Sequence, residues 1–156
     1  MAMTLEGVLA DRDRWQADAC SIGKAMEVVG TRSAMLLVRE AFYGTTRFDQ
    51  FAKRVGISDA VTSARLKELV AAGIFDRCAY REPGQRTRHE YLLTPMGRDL
   101  LPAVLALMQW GDRYLQETGG PLSVVEDSTG MPVRVLPVAD GGGEIGLDEL
   151  RVRVNR

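Results

Sequence analysis

Residues 48–73, FDQFAKRVGISDAVTSARLKELVAAG, decide the fold. Phe48, Phe51 and Val55 recur at helical spacing, predicting a short amphipathic helix over 48–54 that Gly56 stops. Ser58 then has the chemistry of an N-cap for a second helix over 58–72, which Gly73 closes. Two helices joined by a tight turn containing glycine form the helix-turn-helix pattern. In the second helix Val61, Leu66 and Leu69 are expected on the inner side, with Asp59, Ala60, Ser63, Ala64 and Lys67 facing outward. That outer face is small and polar, suited to a major groove. Asp59, Ser63 and Lys67 are candidates for base edges, Ala60 and Ala64 for thymine methyls, and Ser58 for the helix start. The competing reading is a solvated helix face. Arg65 lies on the flank and suits a salt bridge as well as a phosphate.

Working outward, the periodicity changes after Gly73. Residues 74–82 and 87–93 suit strands, and Pro83-Gly84-Gln85 supplies the turn between them. This hairpin carries Arg77, Arg81, Arg86, Arg88 and His89, so it reads as a basic wing. Arg81, Arg86 and Arg88 concentrate near the tip and are candidates for the phosphate backbone or a narrow minor groove. Glu82 and Glu90 could instead pair with some of these cations. His89 is the sole histidine, which argues against a metal or catalytic role.

Towards the N-terminus, helices are predicted over 4–18 (Thr4 as cap; Leu5, Val8, Leu9 and Trp15 on one side), 21–29 (Ser21 as cap) and 33–43. Beyond the hairpin, Thr94 and Pro95 open a long helix whose stripe includes Leu101, Val104, Leu105, Met108 and Leu115, with Trp110 and Tyr114 beside it. Pro102 should kink it. The stripe is broader than one small domain can bury, which points to a dimer interface shared with the first helix. Trp15, Phe42, Trp110 and Tyr114 could line a ligand pocket between dimer helices or simply be core. Gly119-Gly120-Pro121 reads as a linker to a small β appendix, with strands expected over 122–127, 131–138 and 150–154. The expected division is 1–118, DNA binding and dimerisation, and 119–156, the appendix.

The 156 residues carry a net charge of −1, unevenly spread. From Gly30 to Leu100 there are 12 Lys/Arg against 8 Asp/Glu, whereas the remaining segments hold 8 against 13. A basic middle between acidic ends suits one phosphate-facing surface. No run of 18 apolar residues suggests a membrane span, and no signal-peptide core is recognisable. Two distant cysteines, Cys20 and Cys78, fit a reducing cytoplasm.

The ordered pieces resemble the HxlR-type winged-helix regulators, relatives of the MarR-type regulators, over roughly 20–114. They are Cys20, Val29-Gly30, Leu36-Leu37-Val38-Arg39-Glu40, Gly44-x-x-Arg47-Phe48 and Ile57-Ser58. Arg65-Leu66-Lys67-Glu68-Leu69, Gly73-Ile74, Glu90-Tyr91-x-Leu93-Thr94-x-x-Gly97-Arg98 and Trp110-Gly111 complete the order. The resemblance implies a homodimer on pseudo-palindromic operator DNA. It also marks Cys20 as a candidate sensor of oxidants, quinones or aldehydes, placed before a helix whose positive end favours an anionic sulfur. The chain departs from the family pattern in Cys20-Ser21 for Cys-Pro, Arg32-Ser33 for Lys-Trp, and Ala60 for a lysine. The tail resembles a metal ribbon of some relatives but has no cysteine or histidine in the corresponding stretches, so no zinc or other cofactor is expected.

The reading is an α+β, mainly α, winged helix-turn-helix with a long C-terminal dimerisation helix and a small β appendix. It predicts a cytoplasmic homodimer that binds double-stranded DNA as a transcriptional regulator, responsive to an oxidant or small molecule. The alternative is a winged-helix module for protein contact. No constellation of catalytic residues suggests an enzyme.

Overall fold

The computed structural model describes residues 2–14 and 20–155. In chain order its elements are β1 (Thr4–Leu5), 3-10 turns at Gly7–Ala10 and Arg12–Arg14, α1 (Ser21–Val29), α2 (Arg32–Phe42), α3 (Phe48–Val55), α4 (Asp59–Ala71), β2 (Phe75–Tyr80), β3 (Arg88–Leu93), α5 (Pro95–Arg98), α6 (Leu101–Tyr114), a 3-10 turn at Leu147–Glu149, and β4 (Arg151–Val152). They form two compact units. One is Ser21–Pro121; the other comprises the described parts of Met1–Cys20 and Leu122–Arg156. No helix among the described residues is long and apolar enough to cross a membrane.

The larger unit is a winged helix-turn-helix. Its core gathers Leu37 and Val38 of α2, Phe51 and Val55 of α3, Leu66 and Leu69 of α4, and Ile74 and Phe75 at the start of the wing. Phe51 is the hub. Its ring meets Phe75 edge-on at 6.0 Å between centroids and Tyr91 at 6.4 Å. Beside the core, the buried Glu40 carboxylate accepts from Arg39 at 2.6 Å and from Thr45 Oγ1 at 3.4 Å; Arg54 donates to the same Thr45 oxygen at 2.6 Å. A buried carboxylate needs such partners to offset its lost hydration.

Two junctions fix the helices in place. Gly56 ends α3 in the left-handed conformation, φ 71°, which lets the chain turn at once into the Ser58 cap. At the other junction Thr94 Oγ1 donates to Gly73 O at 2.6 Å and accepts from the Gly97 N–H at 3.0 Å. Gly97 packs so close to the start of β2 that an added Cβ would lie 2.3 Å from Ile74 O. The Thr94-x-x-Gly97 spacing therefore docks α5 against the strand.

The long helix expected after Thr94 is two helices. The single turn α5 ends at Arg98, and Pro102 sits in the first turn of α6, where its missing N–H deprives no carbonyl of a partner. Ser21 is the first helical residue of α1 rather than its cap.

The smaller unit departs further from expectation. Thr4 caps no helix. It pairs in a parallel strand with Arg151, and Leu5 pairs with Val152. Arg151 also meets Glu6 at 2.6 Å. The predicted helix over 4–18 is thus replaced, in its described part, by a strand and 3-10 turns, while Trp15 lies outside the described residues. A partner at the far end of the chain leaves no local periodic signal. In the tail, single bridges at Val125–Pro132 and Val138–Glu144 stand where longer strands were expected.

Candidate nucleic-acid interface

The interface is built from the first turn of α4 outward. Ser58 caps the helix, its Oγ accepting from the Val61 N–H at 3.2 Å, which leaves its own hydroxyl hydrogen to donate elsewhere. Asp59, Ala60, Ser63, Ala64 and Lys67 are exposed, as their spacing suggested. The inner side differs by one residue. Thr62 is fully buried (0% exposed) with Leu66 and Leu69, whereas Val61 is 40% exposed. The Thr62 hydroxyl makes this possible by donating to Ser58 O at 2.9 Å, so it enters the core with its polar atom satisfied. Apolarity alone placed Val61 on the wrong side.

Arg65 pairs with Glu68 one turn later on the same helix, so it leans along α4 rather than outward. Either role considered for it, ion pair or phosphate contact, starts from that pairing.

The wing pairs Phe75 with Leu93 through Tyr80 with Arg88 in antiparallel register. Arg81 is held within the tip by a bond from Nε to Gln85 O at 3.0 Å. Arg86 and Arg88 are exposed and make no ion pair among the described residues. Between the wing, α4 and the start of α3 lies a groove of about 460 Å³, lined by Ser63, Asp49, Arg77, Arg88 and His89 among others. Arg77 and His89 join across the strands, nitrogen to Nδ1, at 3.1 Å. The sequence placed both on the hairpin but gave no reason to aim them at α4. The strand register supplies it, since Arg77 follows Phe75 on the face turned towards the helices.

Arg47, just before α3, was also missed. Its guanidinium bonds Glu82 at 2.8 Å and lies over the Tyr80 ring, 5.0 Å from its centre. The Glu82 hydrogen bond, and then the nearby Tyr80 and Glu82 charges, raise its pKa above the ordinary arginine value. The Arg47 backbone also forms an isolated antiparallel β-bridge with Glu90, and the Tyr91 N–H donates to Thr46 O at 2.8 Å. The segment before the helix-turn-helix is therefore stitched to the wing at its base and along β2.

Away from α4, helix α6 buries Val104 and Leu105 but exposes Leu107 (54%), Trp110 (54%) and Tyr114 (62%) at spacings of three and four. The Trp110 and Tyr114 rings are 5.8 Å apart. Cys20 is exposed and Cys78 half-buried.

A family model for HxlR-like helix-turn-helix proteins matches residues 28–119. The chain belongs to the HxlR-like helix-turn-helix family. An uncharacterized HTH-type transcriptional regulator of Mycobacterium tuberculosis strain H37Rv, Rv3095, is 50% identical over 101 residues, 65% of this chain and 63% of the relative. This HxlR-like chain therefore spans about 63% of the length of the mycobacterial relatives it matches. The crystal structure of PA1607, a candidate transcription factor, is 32% identical with a TM-score of 0.77, covering 90% of this chain and 96% of that one. The reduced form of the redox regulator HypR is 30% identical with a TM-score of 0.54, covering 60% and 94% respectively. The HxlR-like match takes in α2 through α6, which hold every element of the interface described above.

Proposed function

We propose that the chain is a sequence-specific DNA-binding transcriptional regulator that acts as a homodimer on a pseudo-palindromic operator. One observation carries this reading: the exposed small-residue face of α4 lies beside a wing whose Arg86 and Arg88 are exposed and make no ion pair among the described residues. In this reading α4 enters a major groove, with Asp59, Ser63 and Lys67 at base edges and Ala60 and Ala64 against the groove floor. Ser58, Arg81, Arg86 and Arg88 meet phosphate. The Arg77–His89 groove adds positive potential between helix and wing. Arg65 brings to phosphate only the N–H donors that its pairing with Glu68 leaves over. The exposed apolar stripe of α6 fits a second copy, which would set two half-sites about one helical turn apart. The relatives are described as regulators, which supports a non-enzymatic role.

A redox response is the second reading, favoured by an exposed Cys20 directly before α1 and by likeness to the redox regulator HypR. Diamide is then expected to weaken or alter DNA binding, and Cys20→Ser to abolish that response; an unchanged response in the variant would sink the idea.

The decisive experiment measures binding to the duplex upstream of the chain's own gene, against a shuffled duplex, over several salt concentrations. The expected result is a preference on the order of 10³-fold that weakens steeply with salt. Equal, weak and salt-flat binding to both duplexes would favour the protein-contact module instead.

A further inference from the structure

The first two turns of α4 present an aliphatic surface to solvent. Ala60, Val61 and Ala64 are all exposed, and Val61 stands out because the inward position beside it is taken by Thr62. Val61 and Ser63 are two residues apart, roughly 200° around a helix, so they occupy opposite flanks of α4. Ser63 opens into the groove shared with the wing, and Val61 therefore faces away from the wing. On its own flank the next side chains are Arg65 and Glu68, one and two turns on, and these form an ion pair through Arg65 Nη1. That flank offers its target the branched hydrocarbon of Val61, beside a guanidinium turned along the helix towards Glu68. The wing side offers a serine hydroxyl and the cations Arg77 and Arg88.

The floor of a major groove has one apolar feature, the C5-methyl group of thymine. Resting on the proposed DNA-binding function, we infer that Val61 is a specificity-determining residue that reads a pyrimidine C5-methyl on the wing-distal side of each half-site. Ala60 and Ala64 extend the same apolar surface towards the centre of the helix face. Thymine and 5-methylcytosine carry the same methyl in the same place, so the site is defined by the methyl rather than by the Watson–Crick pair.

The test uses the full chain and an operator duplex selected from random sequence. Hydroxyl-radical footprints of the wild-type chain and of Arg86→Ala locate the wing on that duplex. Each thymine of a half-site is then replaced singly by uracil, which removes only the methyl. A wing-distal uracil is expected to weaken wild-type binding about fourfold, the worth of one buried methyl. Val61→Ala should bind the thymine and uracil duplexes equally, while Val61→Ile should retain the difference. Where the position is a cytosine, its 5-methylation should strengthen wild-type binding by a similar factor and leave Val61→Ala unaffected. Val61 is half in solvent, so circular dichroism of the alanine variant should match the wild type. Specific binding with no uracil effect at any wing-distal position overturns the inference, as does a Val61→Ala chain with undiminished sensitivity. A wild-type chain that binds no duplex overturns the regulator reading itself, and this inference with it.

Discussion

Helices α4 and α6 each bury one stripe and leave apolar side chains in water, but they expose different kinds. On α4 the exposed groups are small: Ala60, Val61 and Ala64, set among Asp59, Ser63 and Lys67. On α6 they are large: Leu107, Trp110 and Tyr114, lined up along one side. Small side chains allow a helix backbone to approach a surface closely and leave polar neighbours free to reach past them. Large aromatic ones bring buried area, which stabilises protein–protein contact. Under the proposed function, the contrast suits the two faces to partners of different chemistry: a polar groove for α4 and a second protein surface for α6.

The comparison can be broken from the inside first. Leu66→Ala removes a fully buried side chain from the stripe that holds α4, and should cost about 2–5 kcal/mol in chemical denaturation. If the loss were small, α4 would not be anchored as described. Next, Leu107→Asp with Trp110→Ser should convert the proposed dimer to a folded monomer by sedimentation. It should lower operator affinity on the order of 100-fold, since one bound half-site then no longer tethers the other. A dimer that survives both changes would remove α6 from the interface. Replacing Arg86 and Arg88 together by Ala should weaken binding to all duplexes about tenfold and reduce the salt slope by about two, a pattern that separates phosphate contacts from base readout. The smallest effect should come from Ser58→Ala, where losing the cap costs about 1 kcal/mol of stability in a thermal or denaturant melt.

The sequence made the helix-turn-helix and wing legible because their signals are local: Gly56 and Gly73 as stops, Ser58 as a cap, and a change from helical to strand periodicity. It failed where a residue's placement depends on a bond that hydrophobicity does not encode. Thr62 goes inward because Ser58 O receives its hydroxyl, and Val61 is displaced outward as a result. The N-terminal stretch failed for another reason: Thr4–Leu5 finds its partner in Arg151–Val152, beyond the reach of any window along the chain. Arg77 and His89 were visible on the hairpin and Arg47 only as part of a motif before α3; the strand register and the Arg47–Glu82 pair show which way they are directed.

The Arg47 clamp has a consequence for timing. A hairpin held only at its root would swing freely, and each encounter would have to wait for it to find its place. Here the tip-side residues Tyr80 and Glu82 are tied to the residue that starts α3, and Tyr91 is tied to Thr46. These contacts restrain the angle between hairpin and helix already in the free chain. Under the proposed function, docking then resembles a key whose bit is already aligned, losing less conformational entropy on arrival.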